Sequence, residues 1–516
     1  MQDVLDKANA RIDILLSGID YYHRYHRFSL SLCVNGAFII WLFLLVSTIL
    51  YEYTGLVTKK QLHRNSDIVS VLKSRLFKSI AAFVTLSVSM MLYWKSKDAS
   101  LVLYTVLPLL AVLVALGRVD TINDVWVSLM YKVNVKNVLQ FVGMSSFILV
   151  GLEFLIHAFF DRRSLSIVAV FLAFLPWMKL VVANGGQFSV IHNLVGILFT
   201  ATSLALGCFP QLPVIHKEEN YMLVVLGAFM FATCGMIFTF FVKDRNSLVV
   251  ASQTALVIFC TVVKLHSVAS ISDGEGLPWL NQLFSWGVVA TAPVLIAITD
   301  KHSLSRLLST ILALASVFVL TSISYETLFL VVLALNLLSW VAMEIFIFSP
   351  EQATATSRNN INNIQLSWDH FRISFMFVYY IFISFFGTGN VASINSFDIA
   401  STYCFQTVFN PLVQGVVLAL KVLVPFLMVI LVFRSMEATT ALPMKALFLV
   451  ILLLTDIMSM HFFFWVKDEG SWLDIGQSLS HFLINLVFVI FLIPFYKLSY
   501  YVTGSISLQT MKSHIM

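Results

Sequence analysis

Stretches of about 20 mostly apolar residues, the length a helix needs to cross the hydrocarbon core of a bilayer, recur between residues 28 and 500 with short polar breaks. Inside lipid a backbone has no water to bond to, so each such stretch must satisfy its own N–H and C=O groups as a helix. The expected fold is all-α: a polytopic transmembrane helical bundle of about 15 helices, with no soluble domain in this chain. With 59% hydrophobic and 11% charged residues, the chain departs far from the balance of a soluble globule. The longest polar interruptions, 52–73 and 349–369, are each one helix long, short of the roughly 50 residues of a small domain.

The expected spans lie near 28–51, 77–94, 100–116, 138–160, 164–182, 189–209, 220–242, 247–268, 281–299, 303–322, 326–348, 371–386, 401–433, 444–466 and 478–500. The segment 401–433 is long for one helix and carries Asn410-Pro411, Lys421 and Pro425, so a kink or a re-entrant half-helix is expected there. Ahead of the first span, residues 3–19 place Val4, Leu5, Ala8, Ile12, Leu15, Leu16 and Ile19 on one helical face. Residues 1–27 therefore read as an amphipathic interfacial lead-in, ending in an aromatic and basic cluster at 21–27 suited to headgroups. Residues 28–500 form the multi-pass domain and 501–516 a tail. Most loop Lys and Arg follow odd-numbered spans, among them Lys59, Lys60, Arg118, Lys243, Arg358 and Lys445, while Lys7, Arg11, Arg24 and Arg27 dissent. Positively charged loops tend to stay cytosolic, which gives a non-cytosolic N-terminus and a cytosolic C-terminus. The loops 387–400 and 467–477 then share the non-cytosolic side.

Several functions lack their signatures. The net charge of +5 is spread thinly and identifies no partner; no basic run suggests nucleic acid. Cys33, Cys208, Cys234, Cys260 and Cys404 show no CxxC spacing and read as buried small hydrophobes. No P-loop, dinucleotide fingerprint, GxSxG or HExxH is present, so no catalytic residue and no metal ligand is assigned. No cleavable signal peptide is expected, because residues 1–27 are charged and lack an apolar core. Ionisable groups inside the spans are Glu153 and His157, Lys264 and His266, Glu344, Lys421, Asp456, His461 and His481. Such groups are costly in lipid and mostly pair between helices or snorkel; Glu153 and His157, at i and i+4, share a face and are expected to pair.

Two polar loops stand apart. Between apolar segments lies Gly387-Thr388-Gly389-Asn390-Val391-Ala392-Ser393-Ile394-Asn395-Ser396-Phe397-Asp398, where small residues and amides let backbone and side chains meet a hydrophilic ligand. Near the same depth the C-terminal region brings His461, Asp468, Asp474 and His481. Asn390, Asn395, Asp398, His461, Asp468, Asp474 and His481 are therefore the candidate residues around a polar lipid headgroup. The alternative is that they only cap helix ends.

The runs FFGTGNVASINSFDIASTYCF (385–405), LLLTDIMSMHFFFWVKDEGSWLDIGQSLSHF (452–482) and KSHIM (512–516) closely resemble the C-terminal membrane region of the PIG-N family of GPI ethanolamine phosphate transferases. YYHRYHR (21–27), LPWLNQLFSWGVVA (277–290) and SYETLFLVVLAL (324–335) resemble other parts of it. The resemblance implies an endoplasmic reticulum membrane protein of GPI-anchor biosynthesis, with a luminal N-terminus and a cytosolic C-terminus. It implies transfer of phosphoethanolamine from phosphatidylethanolamine onto the first mannose of the GPI precursor, and GPI-pathway proteins as possible partners. It also implies that catalysis sits on a luminal domain similar to alkaline phosphatases and sulfatases, with a threonine nucleophile and metal held by Asp and His. That domain would precede this chain, and no position here matches its motifs. The expected explanation is a truncated gene model, leaving this chain to bind or position lipid substrates with no cofactor of its own. A transporter or lipid scramblase acting without chemistry is the alternative function.

Overall fold

The computed structural model describes residues 2–24, 27–53, 75–96, 99–132, 135–184, 189–213, 220–241, 245–299, 303–348, 366–389, 399–440, 443–467 and 470–503. Among these, every regular element is helical: α1 (Gln2–Arg24), α2 (Arg27–Tyr53), α3 (Arg75–Ser96), α4 (Ala99–Gly117), α5 (Val119–Lys132), α6 (Val135–His157), α7 (Ser164–Ala173), α8 (Leu175–Asn184), α9 (Val190–Cys208), α10 (Tyr221–Phe241), α11 (Arg245–Ser272), α12 (Trp279–Ile298), α13 (Ser303–Thr321), α14 (Glu326–Met343), α15 (Trp368–Phe386), α16 (Pro411–Thr440), α17 (Met444–Trp465) and α18 (Trp472–Thr503). The chain is an all-α membrane protein, divided into two compact units, Met1–Phe141 and Val142–Met516.

In the first unit α2 packs on α4 and α5, and α3 packs on α4. Gly117 and Arg118 break the helix between α4 and α5, which bend by 69°. The Arg118 guanidinium donates to Thr48 Oγ1 on α2 at 3.1 Å. The amphipathic N-terminal segment is helical as α1, and its Ile12, Leu15, Leu16 and Ile19 are exposed.

In the second unit α14 and α15 are enclosed helices, as is α13, where all but one residue from Ser305 to Thr321 is buried. On α15 every residue from Met376 to Ser384 is buried, as expected of a helix surrounded by protein rather than lipid. Around them α13 packs on α11, α12 and α16, α14 on α9 and α10, and α15 on α16 and α17. Small residues set the closest approaches, as is common where helices associate in lipid: a Cβ on Gly227 of α10 would lie 2.7 Å from the Leu328 backbone nitrogen of α14. At one end Glu344 opens a π-helical turn (Glu344–Phe348) and receives Arg372 Nη1 and Nη2 at 2.6 and 2.8 Å and Trp340 Nε1 at 3.0 Å. This buried carboxylate is thus paired, and its two-pronged contact is the strong kind.

Ten helical segments among the described residues are long and apolar enough to cross a membrane, against about fifteen expected. The other five expected spans are also helical. Three of them lie in the helices α3, α6 and α13, of 22, 23 and 19 residues, and one belongs to the bent α4–α5 pair. The fifth, α15, opens with Trp-Asp-His-Phe-Arg and is sheltered by protein, which relaxes the demand for uniform apolarity. Segment 401–433 divides: a 3₁₀ turn at Ile399–Thr402 leads through irregular chain to α16, which starts at Pro411 and runs through Pro425. Proline suits the first helical position because that N–H has no partner anyway, and Asn410 Oδ1 accepts the Leu412 N–H at 3.0 Å. The cysteines differ in part from expectation: Cys260 and Cys404 are buried, but Cys208 is exposed.

Candidate functional site

At the end of the second unit opposite Glu344, the connections after α6, α9, α13 and α15 converge. Helix ends leave unpaired carbonyls, and in a buried setting these need side-chain donors. Arg162, just after α6, supplies two: its guanidinium donates to the Leu212 carbonyl and, at 3.4 Å, to that of Gly387. Tyr325 supplies another, its hydroxyl lying 2.8 Å from the Pro213 carbonyl and 3.2 Å from that of Thr388. Burial pushes the Tyr325 phenol up from its ordinary pKa, against an opposing pull from Arg162, so it remains a donor at neutral pH. Two of the carbonyls so held belong to the start of the polar 387–398 loop.

The turn into α14 is tight. Ser324 adopts φ 51°, a left-handed conformation that costs a non-glycine residue energy. Two bonds hold it: Glu326 Oε2 accepts the Ile323 N–H at 2.7 Å, and Thr327 Oγ1 donates to Ser322 Oγ at 2.7 Å. Gly387 is equally constrained, since an added Cβ would strike the Phe329 ring and lie 2.6 Å from the Ile383 carbonyl oxygen.

The loop re-enters through a buried 3₁₀ turn and the irregular chain that follows it. Ser401, Thr402, Cys404 and Phe405 are all buried, and irregular backbone at such depth persists only where protein satisfies it. Gln282 Nε2 and Trp286 Nε1 of α12 both donate to the Phe405 carbonyl, at 3.0 and 3.1 Å. From α16, Lys421 Nζ reaches Ser401 Oγ at 3.2 Å and forms a buried ion pair with Glu326 Oε1 at 2.8 Å. The described chain on either side of 390–398 is therefore held, at Gly387 and Thr388 by Arg162 and Tyr325, and at Ser401 and Phe405 by Lys421, Gln282 and Trp286.

Of the residues expected to line the site, Asn390, Asn395, Asp398 and Asp468 lie outside the described residues. His461 Nδ1 lies 3.6 Å from Glu153 Oε2, so the carboxylate expected to pair with His157 approaches α17. His481 is fully buried, its ring edge-on to Phe159 and Phe160 at 5.5 and 4.7 Å between centroids, and neither ring nitrogen has a hydrogen-bond partner. Asp474 is exposed in the first turn of α18, the end of a helix that favours a carboxylate. His461 and His481 meet one aromatic cluster, because the His461 ring lies 5.0 Å from Trp465, Trp465 5.0 Å from Phe160, and Phe160 4.7 Å from His481. Arg162, Tyr325, Glu326, Gln282 and Trp286 escaped notice from sequence; only the adjacency of Tyr and Glu at a helix start hinted at two of them. Among the described residues no three His, Cys, Asp or Glu side chains converge to hold a metal ion.

The sequence model of a family described as Phosphatidylinositolglycan class N (PIG-N) matches residues 17–471. The chain belongs to the PIG-N family. Among its PIG-N relatives, GPI ethanolamine phosphate transferase 1 of Homo sapiens is 31% identical over 513 residues, covering 95% of this chain and 53% of the relative. The protein of the same name from Mus musculus is 31% identical, covering 100% of this chain and 55% of its own length. That from Schizosaccharomyces pombe is 30% identical over 69% of this chain. The chain therefore spans about half the length of the first relatives it matches. No solved structure matches it. The PIG-N match takes in Arg162, Tyr325, Glu326, the 387–405 region, Lys421 and His461, while Asp474 and His481 lie past its end.

Proposed function

We propose that this chain is the membrane region of a GPI ethanolamine phosphate transferase of the endoplasmic reticulum, which moves phosphoethanolamine from phosphatidylethanolamine to the first mannose of the GPI precursor. Its part is to bind and orient the two lipids on the luminal side. The observation that carries this reading is the anchorage of the chain on either side of 390–398, at Gly387 and Thr388 by Arg162 and Tyr325 and at Ser401 and Phe405 by Lys421, Gln282 and Trp286. A polar loop on a rigid base holds a headgroup at a set position, and proximity of that kind contributes several kcal/mol to a group transfer, on the order of 7 or more where geometry is ideal. No residue of this chain is assigned a bond-making role; nucleophile and metal belong to a luminal phosphatase-like domain.

The test is made in a protein that carries both this region and that domain. Asn395→Ala and Asp398→Ala are expected to lower phosphoethanolamine transfer to a mannosylated GPI acceptor in microsomes while leaving protein abundance unchanged. Transfer at the parent rate by both variants removes the loop from substrate positioning. Lipid flux through vesicles containing this chain alone would instead favour a scramblase or transporter.

A further inference from the structure

A groove of about 510 Å³ lies between the end of α6, the start of α7 and the 3₁₀ turn after α9 (Phe209–Gln211), a size typical of small-molecule sites. One part of its wall is apolar, formed by Val150, Phe154 and Ile167, and the rest carries Glu153, His157, Asp161, Arg163 and Gln211. The gradient follows from the helix: Val150, Glu153, Phe154 and His157 share a face at i, i+3, i+4 and i+7, and the charged Asp161 and Arg163 follow where the helix has ended. None of these residues serves the loop base. Arg162 turns to the Leu212 and Gly387 carbonyls, whereas its neighbour Arg163 lines the groove.

The rim is built rather than loose. Asp161 Oδ1 accepts the Arg163 N–H at 3.0 Å, Ser164 Oγ donates to the Phe154 and Asp161 carbonyls at 3.0 Å, and Gln211 Nε2 donates to the Arg163 carbonyl at 3.5 Å. Glu153, 3.6 Å from His461 Nδ1, still keeps a side chain that is 57% exposed at the groove, and an ionisable group at membrane depth is a candidate for function. Two carboxylates and one guanidinium around a partly apolar cleft select a particular chemistry. A phosphate monoester would be repelled by Glu153 and Asp161, and a quaternary ammonium has no N–H to offer them. A primary ammonium offers three, and a phosphodiester beside it suits Arg163.

We propose that this groove binds a headgroup carrying a primary amine and a phosphodiester, with Glu153 and Asp161 receiving the ammonium, Arg163 the phosphodiester, and an acyl chain lying along Val150, Phe154 and Ile167. The inference rests on the lipid-positioning reading and supplies that reading with a headgroup site distinct from the 387–398 loop. The chemistry has two sources, a phosphatidylethanolamine or a glycolipid already bearing phosphoethanolamine.

The full chain is reconstituted into phosphatidylcholine nanodiscs doped with phosphatidylethanolamine carrying a photoactivatable acyl chain, and labelled peptides are mapped by mass spectrometry. Labelling is expected within 150–167, displaced by unlabelled phosphatidylethanolamine and not by further phosphatidylcholine. Arg163→Ala, and separately Glu153→Gln with Asp161→Asn, are expected to weaken it about tenfold, the scale of one lost charged hydrogen bond; Asp273→Asn leaves it unchanged. Displacement by glycerophosphoethanolamine supports the phospholipid as occupant, and displacement by a mannose-linked phosphoethanolamine supports the glycolipid. Should Glu153→Gln disturb folding through His461, Arg163→Ala decides alone, its side chain lying at the rim. Equal displacement by phosphatidylcholine, or undiminished labelling in a folded Arg163→Ala, overturns the proposal. Labelling confined to other segments overturns this site only, whereas no labelling anywhere overturns the lipid-positioning reading with it.

Discussion

Replacing Lys421 by methionine tests the base of the loop most directly. Lys421 Nζ and Glu326 Oε1 lie 2.8 Å apart, with side chains 10% and 9% exposed. At an effective dielectric of about 20 their attraction is on the order of 6 kcal/mol, most of it offset by the cost of taking both charges out of water. The loss of one partner is therefore far more harmful than the loss of both. In Lys421→Met the Glu326 carboxylate keeps only the Ile323 N–H, and the expected destabilisation is about 3–5 kcal/mol. The double variant Glu326→Gln with Lys421→Met retains a neutral acceptor for that N–H and is expected to fall within about 1 kcal/mol of the parent. Unfolding of the purified chain in mixed micelles, titrated with a denaturing detergent, gives the four free energies of the cycle. Hydrogen exchange gives a local readout: with the Ser401 contact gone, amides near 401–405 exchange faster in Lys421→Met and recover in part in the double variant. A single variant within about 0.5 kcal/mol of the parent, the range of an inconsequential surface change, refutes the reasoning. So does a double variant as unstable as the sum of the singles.

Four further outcomes follow from individual contacts. Gly387→Ala must displace either the Phe329 ring or the helix end at Ile383, and a loss of about 1–3 kcal/mol is expected in the same detergent titration. Trp286→Phe leaves the Phe405 carbonyl one donor, Gln282, and costs about 1 kcal/mol; adding Gln282→Leu strands a buried acceptor and costs a further 1–3 kcal/mol or so, which a two-variant cycle reads as non-additivity. Arg162→Lys replaces a fork that reaches two carbonyls by a single ammonium, and faster proteolysis or hydrogen exchange around 387–389 reports the loosened loop. His481→Phe removes two unpartnered ring nitrogens from an aromatic cluster and is expected to raise the melting temperature, a gain of about 1 kcal/mol; a fall in stability shows that the imidazole has a polar role there.

The helical segments were readable because the bilayer imposes one requirement on every span, and periodicity with length expresses it locally. The misjudged parts are those where protein replaces lipid as the neighbour. The α15 helix carries Arg372 and two tyrosines because other helices surround it, and the irregular stretch at 403–410 has its buried Phe405 carbonyl satisfied by Gln282 and Trp286. Asn410 and Pro411, where a kink or re-entrant half-helix was expected, instead mark the start of α16, with a proline at the first helical position and an Asx acceptor beside it. His481 shows the opposite error: an ionisable residue in a polar-looking run joined an aromatic cluster, because the helix phase that turns it inward is invisible without its partners Phe159 and Phe160.

The site itself depends on pairs that sequence spacing cannot announce. Arg162 and Gly387 are 225 positions apart, Gln282 and Phe405 are 123, and Tyr325 and Thr388 are 63. In each of these, one partner is a backbone carbonyl, which carries no residue-type signal at all. A carbonyl becomes a specific partner only when the chain fails to be helical at that point, so the irregular connections and their donors define one another. The consecutive arginines illustrate the consequence. Arg162 and Arg163 are equivalent as letters and as charges, yet one is consumed by the Leu212 and Gly387 carbonyls while the other lines the groove beside Glu153 and Asp161. That division of labour follows from the bonds each makes: Arg162 is drawn to the Leu212 and Gly387 carbonyls, while Gln211 holds the Arg163 carbonyl at the groove. Structural support and ligand contact are thereby assigned to adjacent residues, and the two roles separate experimentally: changing Arg162 loosens the loop, and changing Arg163 weakens the headgroup.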